Sequence, residues 1–137
     1  MDFDSLKKFL FDKPGSKLEF PFGPDTLVFK VMGKMFTLVS WQSDPLRISV
    51  KCDPEEAIIL REKYPAVKPA YHMSKIHWNS ITLDGTIPDE DIYAMINESF
   101  RLVVAVMPKH LFRTLEKINE KQKLEKERKS TQSEKHD

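Results

Sequence analysis

The sequence has little of what disulfide frameworks, phosphate loops and membrane spans are made from. One cysteine, Cys52, stands in 137 residues, so no disulfide can form within the chain and a reducing, cytoplasmic setting is expected. Only four glycines are present, and no GxSxG, HExxH, CxxC or Gly-rich phosphate signature occurs. The longest apolar run, Leu102 to Met107, is far short of the ~20 residues a membrane helix needs. Met1-Asp2-Phe3-Asp4 is acidic where a secretory leader would be basic, so no leader is expected. A charge excess is missing as well: 22 Lys+Arg face 21 Asp+Glu. Eight of those cations and six of those acids follow residue 112, which leaves the body at −1 and the tail at +2. Nucleic-acid binders usually carry a basic excess, because affinity comes largely from counterions released at phosphates. A role of that kind must here rest on where charges are placed.

Core-forming material, by contrast, is ample. The chain is 40% hydrophobic and 10% aromatic, enough for one domain with one core. Phe3, Leu6, Phe9 and Leu10 are spaced as a helical stripe that Pro14-Gly15 ends. Leu18 to Pro24 is extended and, with two prolines, suits an edge strand or a shaped loop. Residues 27–32 alternate, Gly33-Lys34 is the expected turn, and residues 35–41 return as a partner strand. A further strand is expected over 46–51. Asp53-Pro54-Glu55-Glu56 starts a helix that Tyr64-Pro65 stops. Strands over 67–72 and 78–83 follow, then a long helix whose apolar face comprises Ile92, Met95, Ile96, Ser99, Phe100 and Val103. After residue 109 a thin stripe of Leu111, Leu115, Ile118 and Gln122 lies in a run of Glu and Lys, which reads as a solvated helical extension to about Lys129 with a disordered polar end.

The period of two sorts the strand residues by face. If Phe29, Ile48 and Val50 meet the helices, Lys30, Arg47 and Lys51 project from the other side, joined there by Trp78, Ser80 and Thr82. Cations with an aromatic ring on an open sheet face suit phosphates and stacked bases, although a solvated sheet face routinely carries such residues too. His72 and His77 invite a metal with Cys52, yet strand geometry separates them. Asp53-Pro54-Glu55-Glu56 and Asp89-Glu90-Asp91 read as helix-start carboxylates and not as a paired acid and base, and no nucleophile–base signature points to an enzyme.

Longer motifs carry a resemblance. Phe20-Pro21-Phe22-Gly23-Pro24-Asp25-Thr26-Leu27-Val28-Phe29-Lys30-Val31, Gly33-Lys34-Met35-Phe36, Lys51-Cys52-Asp53-Pro54-Glu55, Tyr71-His72-Met73-Ser74-Lys75, His77-Trp78-Asn79 and Leu83-Asp84-Gly85 stand in an order similar to that of the MmcQ/YjbR family of small bacterial proteins. The likeness covers roughly residues 3 to 110, and Ser74 stands where the family commonly has Asn. It implies an α+β, two-layer, CyaY-like fold, an antiparallel sheet with helices packed on one face, and the family's usual label of DNA-binding protein. The expected organisation is a domain over 1–110 and a charged extension over 111–137. The expected function is non-enzymatic binding of DNA through the open sheet face by Lys30, Arg47, Lys51, Lys75, His77, Trp78 and Asn79. The alternative is a protein-interaction module on the same face, anchored by Trp78. No cofactor, metal, membrane or small-molecule substrate is expected.

Overall fold

The computed structural model describes residues 1–135 and has an α+β architecture of one six-stranded antiparallel sheet and four helices. In chain order these are α1 (Phe3–Phe11), β1 (Ser16–Glu19), β2 (Thr26–Val31), β3 (Lys34–Ser40), β4 (Arg47–Lys51), α2 (Pro54–Lys63), β5 (Val67–Pro69), β6 (Trp78–Thr82), α3 (Asp89–Ala105) and α4 (Lys109–Lys135). The sheet order is β1-β2-β3-β4-β6-β5. Short edge strands, one ending in Pro69, leave little unpaired backbone at either side.

Local chemistry sets the element starts. The Asp2 side chain accepts a hydrogen bond from Ser5 N–H at 2.8 Å and caps α1. Asp53 does the same for α2, accepting from Glu55 and Glu56 N–H, with Pro54 in the first position where a missing N–H costs nothing. The β2–β3 hairpin turns on Met32-Gly33, one residue earlier than expected, with φ of 49° and 83°. Positive φ at both central residues is the type I′ geometry that matches strand twist, and Gly33 adopts it freely.

Cross-strand register builds the core. Leu27, Val39, Ile48, Ile81 and Val67 align across five strands, each at most 5% exposed. Helix residues Leu6, Leu10, Ile92, Met95, Ile96 and Val103 cover this row and its neighbours. A bulge between Phe29 and Lys30 pairs Lys30 with Met35, and the extra residue, Phe36, meets Phe100 of α3 edge-to-face at 5.2 Å. Ser99 of α3 ties that helix to the sheet: its hydroxyl donates to Phe36 C=O at 2.6 Å and accepts from Lys51 N–H at 2.8 Å.

The first half of α4 differs from the solvated extension expected. Leu115 is 5% exposed and belongs to the core, and a Cβ at Gly15 would come within 2.8 Å of it. Gly15 N–H donates to Gln122 Oε1, and Lys126 lies 3.9 Å from Asp12. The stripe was correctly spaced but has a docking surface on the α1–β1 turn. The helix runs on to Lys135, past Lys129; residues 136–137 of the end expected to be disordered lie outside the described residues.

Candidate binding groove on the open sheet face

With the helices on one side, the other side of the sheet presents two aligned rows. Val28, Leu38, Ser49, Ser80 and Lys68 form one, and Thr26, Ser40, Arg47 and Thr82 the next. Two chain segments flank them and turn the face into a groove of about 730 Å³. One is the stretch 20–24, which contributes Phe22 and is pinned where Trp41 Nε1 donates to Pro24 C=O at 2.8 Å. The other is the β5–β6 connection, whose residues 70–74 line the groove and fold through tight turns: Met73 N–H donates to Ala70 C=O at 3.0 Å, and Trp78 N–H to Ser74 C=O at 2.9 Å. Met35 and Leu38 give the floor an apolar centre among the Ser and Thr hydroxyls. Among the described residues two cations, Arg47 and Lys68, line it together with His72 and no carboxylate. Neither cation is ion-paired among the described residues.

The seven residues singled out from the sequence divide sharply. Arg47 lines the groove and is exposed, as its alternation requires. Lys75 stands beside it, its Nζ 5.2 Å from the ring centre of the groove residue Tyr71. Lys30 is on the open face, but Glu19 of β1 neutralises it at 2.7 Å. Lys51 and Trp78 pair at the ends of β4 and β6 and do not line the groove, nor does the exposed His77.

Asn79 requires a correction. It sits on the helix side, fully buried, where its Oδ1 accepts from Arg61 Nε at 2.7 Å and its Nδ2 donates to Ala57 C=O at 3.4 Å. It lies between Trp78 and Ser80, which project from the open face, and a period of two must turn it inward. Its role is to clamp α2 to β6. The same Arg61 also donates to Lys75 C=O, so the clamp reaches the loop that walls the groove.

Lys68, Phe22 and Tyr71 were missed. Lys68 alternates with Val67 and Pro69, but a three-residue strand offers too little pattern to assign a face. Its place becomes clear only once β5 pairs with β6, putting Lys68 opposite Ser80.

A second, smaller cavity of about 210 Å³ opens on the other side of the sheet, between α2 and α3. Its lining includes Cys52, Asn79, Met95 and the acids Glu56, Asp91 and Glu98. Burial, then the nearby charges of Glu56, Asp53 and Glu98, push the Cys52 thiol up to about 11, which keeps it protonated and unreactive. Tyr64 OH donates to Asp91 at 2.9 Å across the mouth.

Helices on one face of an open antiparallel sheet, and a groove on the other, define a small two-layer α+β protein whose bare sheet face is its candidate site. The chain belongs to the YjbR family, whose sequence profile matches residues 11–102. It is 37% identical to protein YbdF of Escherichia coli O157:H7 over 101 residues, 74% of this chain and 83% of that one. To YjbR of Escherichia coli K12 it is 30% identical over 108 residues, 79% of this chain and 92% of that one. Among solved structures it is similar to Deinococcus radiodurans DR2400, with a TM-score of 0.77 and 39% identity over 82% of this chain and 86% of that one. A Pseudomonas syringae protein gives 0.64 at 29% identity, over 74% and 98%. YbdF and YjbR are described as uncharacterised, so membership fixes the family and leaves function to be argued from the site.

Proposed function

We propose that this chain is a binding protein that takes nucleic acid into the groove of its open sheet face. The observation that carries this reading is the groove's charge. Arg47 and Lys68 line it with no carboxylate among the described residues, on a body whose net charge is −1. Local placement supplies what composition lacks, since unpaired cations in a cleft attract a polyanion even on a near-neutral protein. The groove serines Ser40, Ser49, Ser74 and Ser80 supply hydroxyls that can bond to a bound strand. Among the described residues no helix is long and apolar enough to cross a membrane. The lone buried Cys52 thiol suits a reducing compartment such as the cytoplasm.

Salt tests the reading. Two neutralised phosphates on a single strand give log K a slope of about −1.4 against log salt, and each of Arg47→Ala and Lys68→Ala should take away about 0.7 of it. Lys30→Ala should leave the slope alone, because Glu19 already holds that charge. No binding at low salt, or a slope indifferent to both groove variants, would sink the proposal.

A protein partner on the same face is the second reading. Phe22 and Tyr71 of the groove are 63% and 65% exposed, and Phe20 and Ile76 of the same two segments are 51% and 63% exposed, apolar surface of the kind interfaces use. Trp78, half-buried, lies outside the groove. Salt-insensitive capture of one protein, lost in Tyr71→Ala, would favour this second reading.

A further inference from the structure

We infer that the groove admits one unpaired nucleic-acid strand and excludes a duplex; this deepens the function just proposed and rests on it. Size is the first argument. A groove of about 730 Å³ is on the scale of sites for compact ligands, roughly 300–1,000 Å³, and is too small to enclose a double helix. Many proteins that read duplexes push a helix or a two-stranded ribbon outward into the major groove. Here all the core helices lie on the far side of the sheet, and the segments around Phe22 and Tyr71 stand as walls between the rows of the floor and any approaching cylinder.

The walls are also what a single strand needs. Tyr71 is 65% exposed and Phe22 63%, both line the groove, and neither ring is stacked on another among the described residues. A free base offers both faces to such rings, whereas a base in a duplex is already stacked and must be pulled out at a cost of a few kcal/mol. Lys75 beside Tyr71 adds positive charge at the same rim. On the floor, Arg47 and Lys68 occupy adjoining rows two strands apart. Strand spacing of ~4.8 Å and a rise of ~3.4 Å per residue put their Cα atoms about 12 Å apart, so their long side chains can flank one backbone. The serine and threonine hydroxyls between them offer sequence-tolerant hydrogen bonds.

The experiment is an anisotropy titration of the full chain with a labelled single-stranded oligonucleotide and with the duplex of the same sequence, at low salt. The single strand is expected to bind at least about tenfold more tightly. Tyr71→Ala should weaken it about tenfold, equivalent to ~1.4 kcal/mol and within the range for one stacked base, and leave duplex affinity unchanged. The exposure of Tyr71 and Phe22 lets both alanine variants keep the fold. Duplex binding as tight as or tighter than single-strand binding, or single-strand affinity unmoved by both Tyr71→Ala and Phe22→Ala, would overturn the inference and leave the nucleic-acid reading standing. Failure of both oligonucleotides to bind would overturn the two together.

Discussion

Replacing Arg61 should cost more than replacing the buried residue it holds. Asn79 is fully buried, its Oδ1 accepting from Arg61 Nε at 2.7 Å. Arg61→Leu strands that buried oxygen and removes a charge-assisted bond, a loss of about 2–3 kcal/mol. Asn79→Leu works in the opposite sense. Leucine has a similar branch, its extra volume can enter the adjoining cavity of about 210 Å³, and Arg61 is partly exposed with Lys75 C=O still bonded. Ala57 C=O, which loses the Asn79 amide, keeps the i+4 bond expected within α2. That change should cost no more than about 1 kcal/mol. The double variant should then cost roughly what Asn79→Leu costs, because no buried acceptor is left unpaired. Urea unfolding of the four proteins, with equal m-values, reads the cycle directly. If the two single losses simply add, or if Asn79→Leu proves the costlier, the clamp is not what keeps Asn79 buried. Arg61→Leu should also speed amide exchange over 70–77, since the bond to Lys75 C=O goes with the guanidinium.

Three other outcomes follow from single side chains. Leu115→Ala should destabilise by about 2–3 kcal/mol in the same urea assay, as befits a core leucine, and a loss under about 0.5 would show that α4 is not docked. Cys52 has an ordinary value of 9.0 and is held at about 11 in the fold, so between those limits the unfolded chain has lost a proton the native state keeps; stability should fall as pH rises through that window, by at most about 2.7 kcal/mol, and Cys52→Ala should flatten that part of the profile. Thr37 is fully buried with its Oγ1 unpartnered among the described residues, so Thr37→Val should leave stability unchanged or raise it by about 1 kcal/mol, and a clear loss would reveal a partner for the hydroxyl.

The fold was legible where the pattern was long. Alternation in Leu27 to Val31 and the stripe from Ile92 to Val103 fixed both the sheet face and the helix that covers it, because elements that pack by one face show their periods, even though Val28 on the other face of β2 is buried as well. Boundaries failed where one residue changes the geometry. The hairpin turned at Met32-Gly33 because a two-residue type I′ turn needs positive φ at two successive positions, and composition alone does not say which two. In β3 the bulge breaks the alternation, which is why Phe36 and Val39 are both core residues while Thr37 is buried without a bond. The docking of α4 was invisible for a different reason. Leu115 and Gln122 meet a turn about a hundred residues away, and nothing local distinguishes a stripe that has a partner from one that has none.

The site was harder to read than the fold because a strand residue's face is local while its company is not. Alternation placed Arg47 on the open face and, applied one position further along β6, would have turned Asn79 inward. Alternation carries no information about neighbours two strands over. Lys30 looked as available as Arg47 until β1 brought Glu19 beside it, and Lys68 gained meaning only from its place opposite Ser80. The walls were equally out of reach, since Phe22 and Tyr71 are nearly fifty residues apart and line one groove only because the sheet order brings their loops to the same face. The Tyr71 to Asn79 motif therefore does two jobs with alternate ends. Tyr71 to Ser74 shape the groove, while Asn79 points through the sheet to Arg61, whose second bond returns to Lys75. Replacing Arg61, and not Asn79, should therefore loosen the exposed end of the motif, because one guanidinium holds both the buried amide and Lys75 C=O.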